Sequence, residues 1–552
     1  MFSPAQKRLL ERAPLLVPIV LLLPELGYVP IFDGREYANC IVAVAQQPSF
    51  EGLTCAGHPT HAYVLWASIV QKLAPTSGWP LVVSHLALTV VALAAIGRLL
   101  RRLWPEDDAW GERTAALFAV ASNPTLLACT LQPNADLGVL AGIALTLDAL
   151  VAGQFAYALA AGLFATFSKE MGLLLYTAAI AVHAVTFVAR GDGPIEQRRR
   201  ALSRQWPLVL PVAAAAVRLA WRAFATDGPV LVAPHAQVAD TNGILRAFSS
   251  FELLDKMFLS YSAGIFVMQF QWLVTAPIAV WLLRGAHRWL FDEPAPRTTE
   301  RRNALFAVGF FLVAWFLVTR YRTYASPRYW VAALPPMLLA AATSLRALEV
   351  AAERRRAYLA LVGVLSLGSA FATFDPVSRA LYGTFRFGEH TMLKAASIGD
   401  LPHERLSGGR DALPYNLQFA NIHYLQNEIF ALGGERGTAL IVDSQSEWHL
   451  WDNVDTQGRR TLDPAAVQLP RVLARLDGEE LTLLGDERTT GRETRFLFVV
   501  YPMFEAMQRP ILAELTKRFA LTGQTQVSFA GYTAEVYELR PGVPPPAPTP
   551  TP

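Results

Sequence analysis

WPLVVSHLALTVVALAAIGRLLRRLW, residues 79–104, decides the fold. An apolar run starts at Trp79 and stops on Arg98, Arg101 and Arg102. A helix rises about 1.5 Å per residue and the hydrocarbon layer of a bilayer is about 30 Å thick, so roughly 20 such residues cross it. Basic residues gathered just past one end mark the side on which the span is anchored. The stretch 79–100 therefore reads as a membrane span. Ten more of its kind lie near 13–30, 114–131, 135–152, 154–169, 171–189, 206–224, 257–283, 303–320, 329–349 and 357–374. Pro14, Pro18 and Pro24 fall inside the first and predict a kink there.

The whole composition agrees. Of 552 residues, 53% are hydrophobic and 17% charged, against about a quarter charged in soluble domains. This excludes a soluble enzyme and a disordered scaffold. A net charge of +3 is too mild for a nucleic-acid partner. Six of the 48 basic residues are Lys, an arginine bias that fits a GC-rich bacterial coding sequence. No N-x-S/T sequon with an allowed middle residue occurs.

Loop charge orients the spans. Alternate loops carry Lys7, Arg8 and Arg12; Arg98, Arg101 and Arg102; Arg198–Arg200 and Arg204; Arg284, Arg288, Arg301 and Arg302; and Arg354–Arg356. Basic residues stay on the cytoplasmic side. The expected fold is an α-helical polytopic membrane protein of about 11 transmembrane helices with a cytoplasmic N-terminus. The expected location is a bacterial inner (plasma) membrane. Residues 1–374 form the transmembrane domain, with a long first periplasmic loop over 31–78. A moderate outer loop runs near 227–256. Residues 375–540 read as a small α/β periplasmic domain. Strands are predicted in TALIVDS (438–444) and RFLFVVYP (495–502), a helix over 502–519, and paired strands over 519–539. Residues 541–552 are a Pro-rich disordered tail.

Ionisable residues near membrane depth are costly and mark function. Four groups fall on the outer side. FDGREYANC (32–40) holds Asp33, Glu36 and Tyr37; a carboxylate there reads either as a general base or as a helix start. GHPTHAYVLWAS (57–68) holds His58 and His61, which read as phosphate or proton partners, as part of a divalent-cation site with Asp33 and Glu36, or as interfacial helix residues. PNAD brings Asp136, which positions an acceptor or caps a helix. FSKEMG and RYRTYASPRYW bring Lys169, Arg320, Arg322 and Arg328, with Tyr329; such cations hold phosphate oxygens or contact lipid headgroups. Cys40 and Cys55 share the first outer loop, where they either pair or stay free; Cys129 is packed in a span. Walker A, GxSxG and HExxH motifs are absent.

The order of these elements resembles the GT-C fold glycosyltransferases that use polyprenyl-phosphate sugars, in particular bacterial relatives of protein O-mannosyltransferases and the lipid A aminoarabinose transferase. The matching residues are DGREYA (Asp33, Tyr37, Ala38), HPT (His58, Pro59), PNAD (Asp136), SKE (Lys169) and RYWVAALPP (Arg328, Tyr329, Pro335), spread over roughly 10–350. Gly34, Thr60 and Glu170 stand where the family has an acid, a second Pro and a Gly. The resemblance implies an inverting membrane glycosyltransferase. Asp33 would be its general base, with Asp136 at the acceptor. Lys169, Arg328, His58, Tyr329 and Arg322 would surround the donor phosphate. Implied partners are a polyprenyl-phosphate-linked sugar, membrane lipid, and an acceptor glycan, lipid or protein; a divalent cation is an open cofactor. The rival expectation is a transporter or flippase for a lipid-linked anionic substrate.

Overall fold

The structure is a computed structural model that describes residues 3–28, 30, 33–49, 53–55, 60–189, 194–224, 256–291, 298–321, 327–394, 415–433, 438–443, 472–477, 480–485 and 495–541. The chain opens with α1 (Pro4–Arg12) and α2 (Leu16–Leu22), followed by α3 (Asp33–Gln46), α4 (His61–Gln71) and α5 (Trp79–Leu103). Then come α6 (Trp110–Ala121), α7 (Pro124–Leu131), α8 (Asp136–Val151), α9 (Phe155–Ser168), α10 (Glu170–His183), α11 (Ile195–Ser203) and α12 (Leu210–Phe224). The bundle ends with α13 (Lys256–Val267), α14 (Gln271–Leu290), α15 (Thr299–Tyr321), α16 (Leu334–Ala347), α17 (Ala352–Phe371) and the short α18 (Pro376–Tyr382).

Among the described residues four helices are long and apolar enough to cross a membrane: Trp79–Leu103, Glu170–Val188, Ser262–Leu290 and Thr299–Arg320. Two bent pairs raise this to six, Asp107–Ala121 with Pro124–Leu131 at 53° and Ala352–Phe371 with Pro376–Tyr382 at 51°. The eleven expected stretches are thus not eleven uninterrupted helices. Around Pro14, Pro18 and Pro24 the first, expected over 13–30, breaks into α2 with a 3-10 turn on each side of it, because proline donates no backbone hydrogen bond. The bend between α6 and α7 falls where Asn123 caps a new helix, its side chain accepting from the Leu126 N–H, with Pro124 in the first turn. Helices α8 and α9, with 16 and 14 residues, are only about 24 and 21 Å long at 1.5 Å per residue.

Polar residues mark the two ends of the bundle. At one end Asp148 accepts from Arg98 and Arg102 at 2.6 and 2.8 Å, and Glu112 is held by Arg346 and Arg355 at 3.0 and 2.9 Å. At the other end lie Asp136 and Lys169, the Asp136 end below. There Cys40 and Cys55 are joined by a disulfide, and the Ser68 hydroxyl donates to the Ile41 carbonyl at 3.1 Å. The disulfide ties α3 to the segment that precedes α4, and the Ser68 bond ties α4 itself to α3.

The C-terminal part adds a hairpin, β1 (Thr384–Phe387) and β2 (His390–Leu393), then α19 (Gln418–Gly433), β3 (Thr438–Asp443), β4 (Val472–Asp477), β5 (Glu480–Gly485), β6 (Arg495–Val500), α20 (Glu505–Leu515), β7 (Phe519–Phe529) and β8 (Tyr532–Pro541). Among the described residues six strands form one mixed sheet in the order β5-β4-β3-β6-β8-β7, with β3 parallel to both β4 and β6. Side chains alternate across a strand. Leu440, Leu497 and Val499 join the large core that runs on from the bundle, while Ile441, Phe498 and Val500 join a second core that holds Leu512 of α20. Burial on both faces explains the unbroken apolar runs of β3 and β6. The strands expected over 438–444, 495–502 and 519–539 and the helix over 502–519 are present. The hairpin β1–β2, α19, β4 and β5 were not anticipated. Residues 542–552, read as a Pro-rich tail, and the loop 227–255 lie outside the described residues.

The tail docks on the Asp136 end. Tyr424 donates to Glu25 at 2.5 Å, the Leu417 N–H donates to the Ala370 carbonyl at 2.8 Å, and the Tyr28 ring meets Phe419 edge-on at 5.8 Å.

Candidate functional site

The site grows from a chain reversal. Lys169 stands between α9 and α10 in extended conformation, φ −169° and ψ 156°. The two helices close tightly around it: a Cβ on Gly172 would lie 1.9 Å from the Ala165 carbonyl oxygen. Only glycine fits there. The reversal aims Lys169 back at the start of α8, where its ammonium donates to both oxygens of Asp136 at 2.8 and 3.0 Å.

Both side chains are buried, 2% and 1% exposed. Taking two ions out of water costs several kcal/mol per ion, so each depends on the other. The Lys169 ammonium also lies 4.9 Å from the ring centroid of Tyr329. The Arg328 guanidinium lies 4.8 Å from that ring and donates to the Tyr329 hydroxyl at 2.8 Å. Arg320, at the end of α15, is buried as well.

The hairpin before α8 is fixed by Asn134, whose amide donates to the carbonyls of Cys129 and Gln132 at 3.2 and 2.8 Å. Gln132 in turn accepts from the Tyr28 hydroxyl at 2.7 Å. Its side chain fills the space over Gly34: a Cβ there would sit 2.2 Å from Gln132 Nε2 and 2.5 Å from Cδ. A side chain at Gly34 would therefore require Gln132 to move. The contact brings the first turn of α3, which begins at Asp33, onto the hairpin that leads to Asp136.

Helix α4 closes a second side. The Tyr37 ring meets the Tyr63 ring edge-on at 5.8 Å. The Tyr63 hydroxyl and His85 Nε2 are 2.5 Å apart, with the rings stacked. Burial first, then the Asp136 carboxylate, hold the Tyr63 hydroxyl protonated, well above its ordinary range. His61 stands at the start of α4, edge-on to Phe167 at 6.5 Å.

Of the residues singled out in the sequence, the structure brings Asp136, Lys169, Arg328 and Tyr329 into one cluster, with Tyr37 and His61 on the helices beside it. The side chains of Asp33 and Glu36, and all of His58 and Arg322, lie outside the described residues. Among the described residues no group of three or more His, Cys, Asp or Glu side chains converges. Sequence reading missed Tyr28, Tyr63, His85 and Gln132. Tyr63 lies two residues after His61 in HAYVLW, and a helical wheel would have marked it as inward-facing; nothing local marks Gln132.

No protein-family model and no curated protein matches the chain. Among solved structures it is similar to the crystal structure of ArnT from Cupriavidus metallidurans bound to undecaprenyl phosphate, with a TM-score of 0.44 and 14% identity over 97% of this chain and 98% of that one. It is also similar to the same protein in the apo state, with a TM-score of 0.39 and 13% identity over 94% and 96% of the two chains.

Proposed function

We propose that the chain is an integral-membrane glycosyltransferase that moves a sugar from a polyprenyl-phosphate donor to an acceptor hydroxyl. The observation that carries this reading is the meeting of Asp136, Lys169, Arg328 and Tyr329, from three distant stretches of chain, beside the helix that begins at Asp33. A lipid-borne sugar phosphate needs cations at its phosphate, a carboxylate at the attacking hydroxyl and a dry pocket.

The Asp33 carboxylate takes the proton of the acceptor hydroxyl. The freed oxygen attacks the anomeric carbon from the face opposite the phosphate, and the bond from that carbon to the phosphate oxygen breaks with its electron pair leaving on the polyprenyl phosphate. The sugar configuration inverts. Arg328, held by Tyr329, and Arg320 hold the phosphate of the leaving group. Lys169 is neutralised by Asp136, so it serves as a hydrogen-bond donor whose direction Asp136 sets. The pair α3 and α4, with the disulfide on the segment between them, roofs the site.

The proposed location is the periplasmic face of a bacterial inner membrane, with a cytoplasmic N-terminus and a periplasmic tail. Its support is the basic loop pattern, together with the gathering of Arg98, Arg102, Arg346 and Arg355 at the end away from Lys169. The test is Asp33→Asn in the purified full chain: transfer from a polyprenyl-phosphate sugar is lost while donor binding is kept. Unchanged transfer removes Asp33 from the chemistry, and movement of the lipid across vesicles without covalent change supports a transporter instead.

A further inference from the structure

At the end of the bundle away from Lys169, a cavity of about 290 Å³ opens beside α1, α5 and α6. Arg12, Arg98, Arg101 and Arg113 line it, with one acid, Glu11. The local charges do not balance. Asp148 serves Arg98 and Arg102 at 2.6 and 2.8 Å. Glu11 serves Arg113 at 2.5 Å and stands 3.9 Å from Arg101. With Arg12, five guanidinium groups share two carboxylates among the described residues.

The arginines differ in how firmly they are tied. Arg113 also donates to the carbonyls of Trp104 and Glu106 at 2.6 and 2.8 Å, which makes it part of the frame. Arg101 has a 3.3 Å bond to the Gly97 carbonyl and the long contact with Glu11, and its side chain is 39% exposed. Arg12 is exposed at the end of α1. These two are available to an incoming anion.

The other wall is apolar, formed by Leu15, Ala94 and Leu117. Val91, one turn before Ala94 on the same face of α5, is exposed, as is Leu16 beside Leu15. Forked cations over an apolar wall that runs out along the helices match an amphiphile with a phosphate head. We propose that this pocket binds the headgroup phosphate of an anionic phospholipid, with the acyl chains on the Leu15 and Ala94 side. Basic pockets between membrane helices are suited to such headgroups. The site shares no residue with the Lys169 cluster and does not depend on the function proposed for that cluster.

The test titrates the full chain in neutral detergent and follows thermal unfolding. The probes are dioctanoyl phosphatidylglycerol, dioctanoyl phosphatidylcholine and inorganic phosphate. A ligand that binds only the folded state raises Tm saturably. The phosphatidylglycerol should do so, the phosphatidylcholine should not, and inorganic phosphate should need a far higher concentration. The Arg12→Gln/Arg101→Gln variant should weaken phosphatidylglycerol binding by about tenfold for each charge-assisted hydrogen bond removed. Ala94→Leu narrows the apolar wall and leaves every charge in place; it should weaken the lipid and not phosphate, and it decides the question if the double variant does not fold. Equal stabilisation by the two lipids, phosphate as effective as the lipid, or affinity unchanged in both variants would overturn the proposal.

Discussion

The sharpest consequence of the site concerns Lys169 and Asp136 as one unit. Lys169→Met leaves a carboxylate 1% exposed with its cation gone; Asp136→Leu leaves an ammonium 2% exposed with its anion gone. Breaking a buried pair in this way costs about 3–5 kcal/mol, because the remaining ion is desolvated and unmatched. Removing both charges at once, in Asp136→Leu/Lys169→Met, takes away the desolvation burden along with the attraction, a change that is often neutral. Among the described contacts the ammonium 4.9 Å from the Tyr329 ring does not return, an interaction worth about 0.5–2 kcal/mol. The double variant should therefore sit about 0.5–2 kcal/mol below the parent. Each single variant should sit well below the double. Unfolding in detergent by denaturant gives the four stabilities of the cycle. Transfer activity on a polyprenyl-phosphate sugar should vanish in all three variants, including the stable one. A double variant whose loss equals the sum of the singles, to within about 0.5 kcal/mol, would refute the claim that the two charges act as a buried unit.

Gly34→Ala forces the Gln132 side chain out of its place and off Tyr28, so transfer should fall at an overpacking cost of about 1–3 kcal/mol; adding Gln132→Ala frees the space and should recover part of the rate. Cys40→Ser or reduction opens a loop whose ends are 15 residues apart, removing about 3 kcal/mol of constraint; protease cleavage between residues 46 and 60 should speed up, read by mass spectrometry. Burial and the bond to Glu25 raise the Tyr424 hydroxyl above its ordinary 10.0. The folded state keeps that proton after the unfolded chain has lost it, so stability present below pH 10.0 falls as pH rises beyond it. Tyr424→Phe should flatten that fall by one residue's share, with the other buried tail tyrosines, such as Tyr415 and Tyr501, supplying the remainder; an identical pH slope in the variant would show that Tyr424 titrates normally.

What the sequence made legible follows a single physical rule: patterns with a fixed period or a fixed spacing survive into the structure, and contacts between distant stretches do not announce themselves. The apolar runs predicted helices because burial in lipid needs length, and the strands at 438–443 and 495–500 read as buried because both of their faces are covered. The cations and acids stood out because charge near lipid is costly. Their partners did not. Lys169 was visible as a cation at the end of a span, yet nothing near it in sequence says that its carboxylate would be Asp136, 33 residues away. Gly34 read as a departure from a family pattern, and nothing near it in sequence says that it would pack against Gln132, about a hundred residues downstream. Tyr63 and His85 were invisible as a pair for the same reason. The expected spans 13–30 and 114–131 failed as continuous helices at their prolines, while the break at Lys169 fell between two expected spans and lets a polar group reach its partner. The breaks are therefore informative in themselves. A membrane helix gives up backbone hydrogen bonds only where another interaction compensates, and in this chain the break at Lys169 is where a buried ion pair forms.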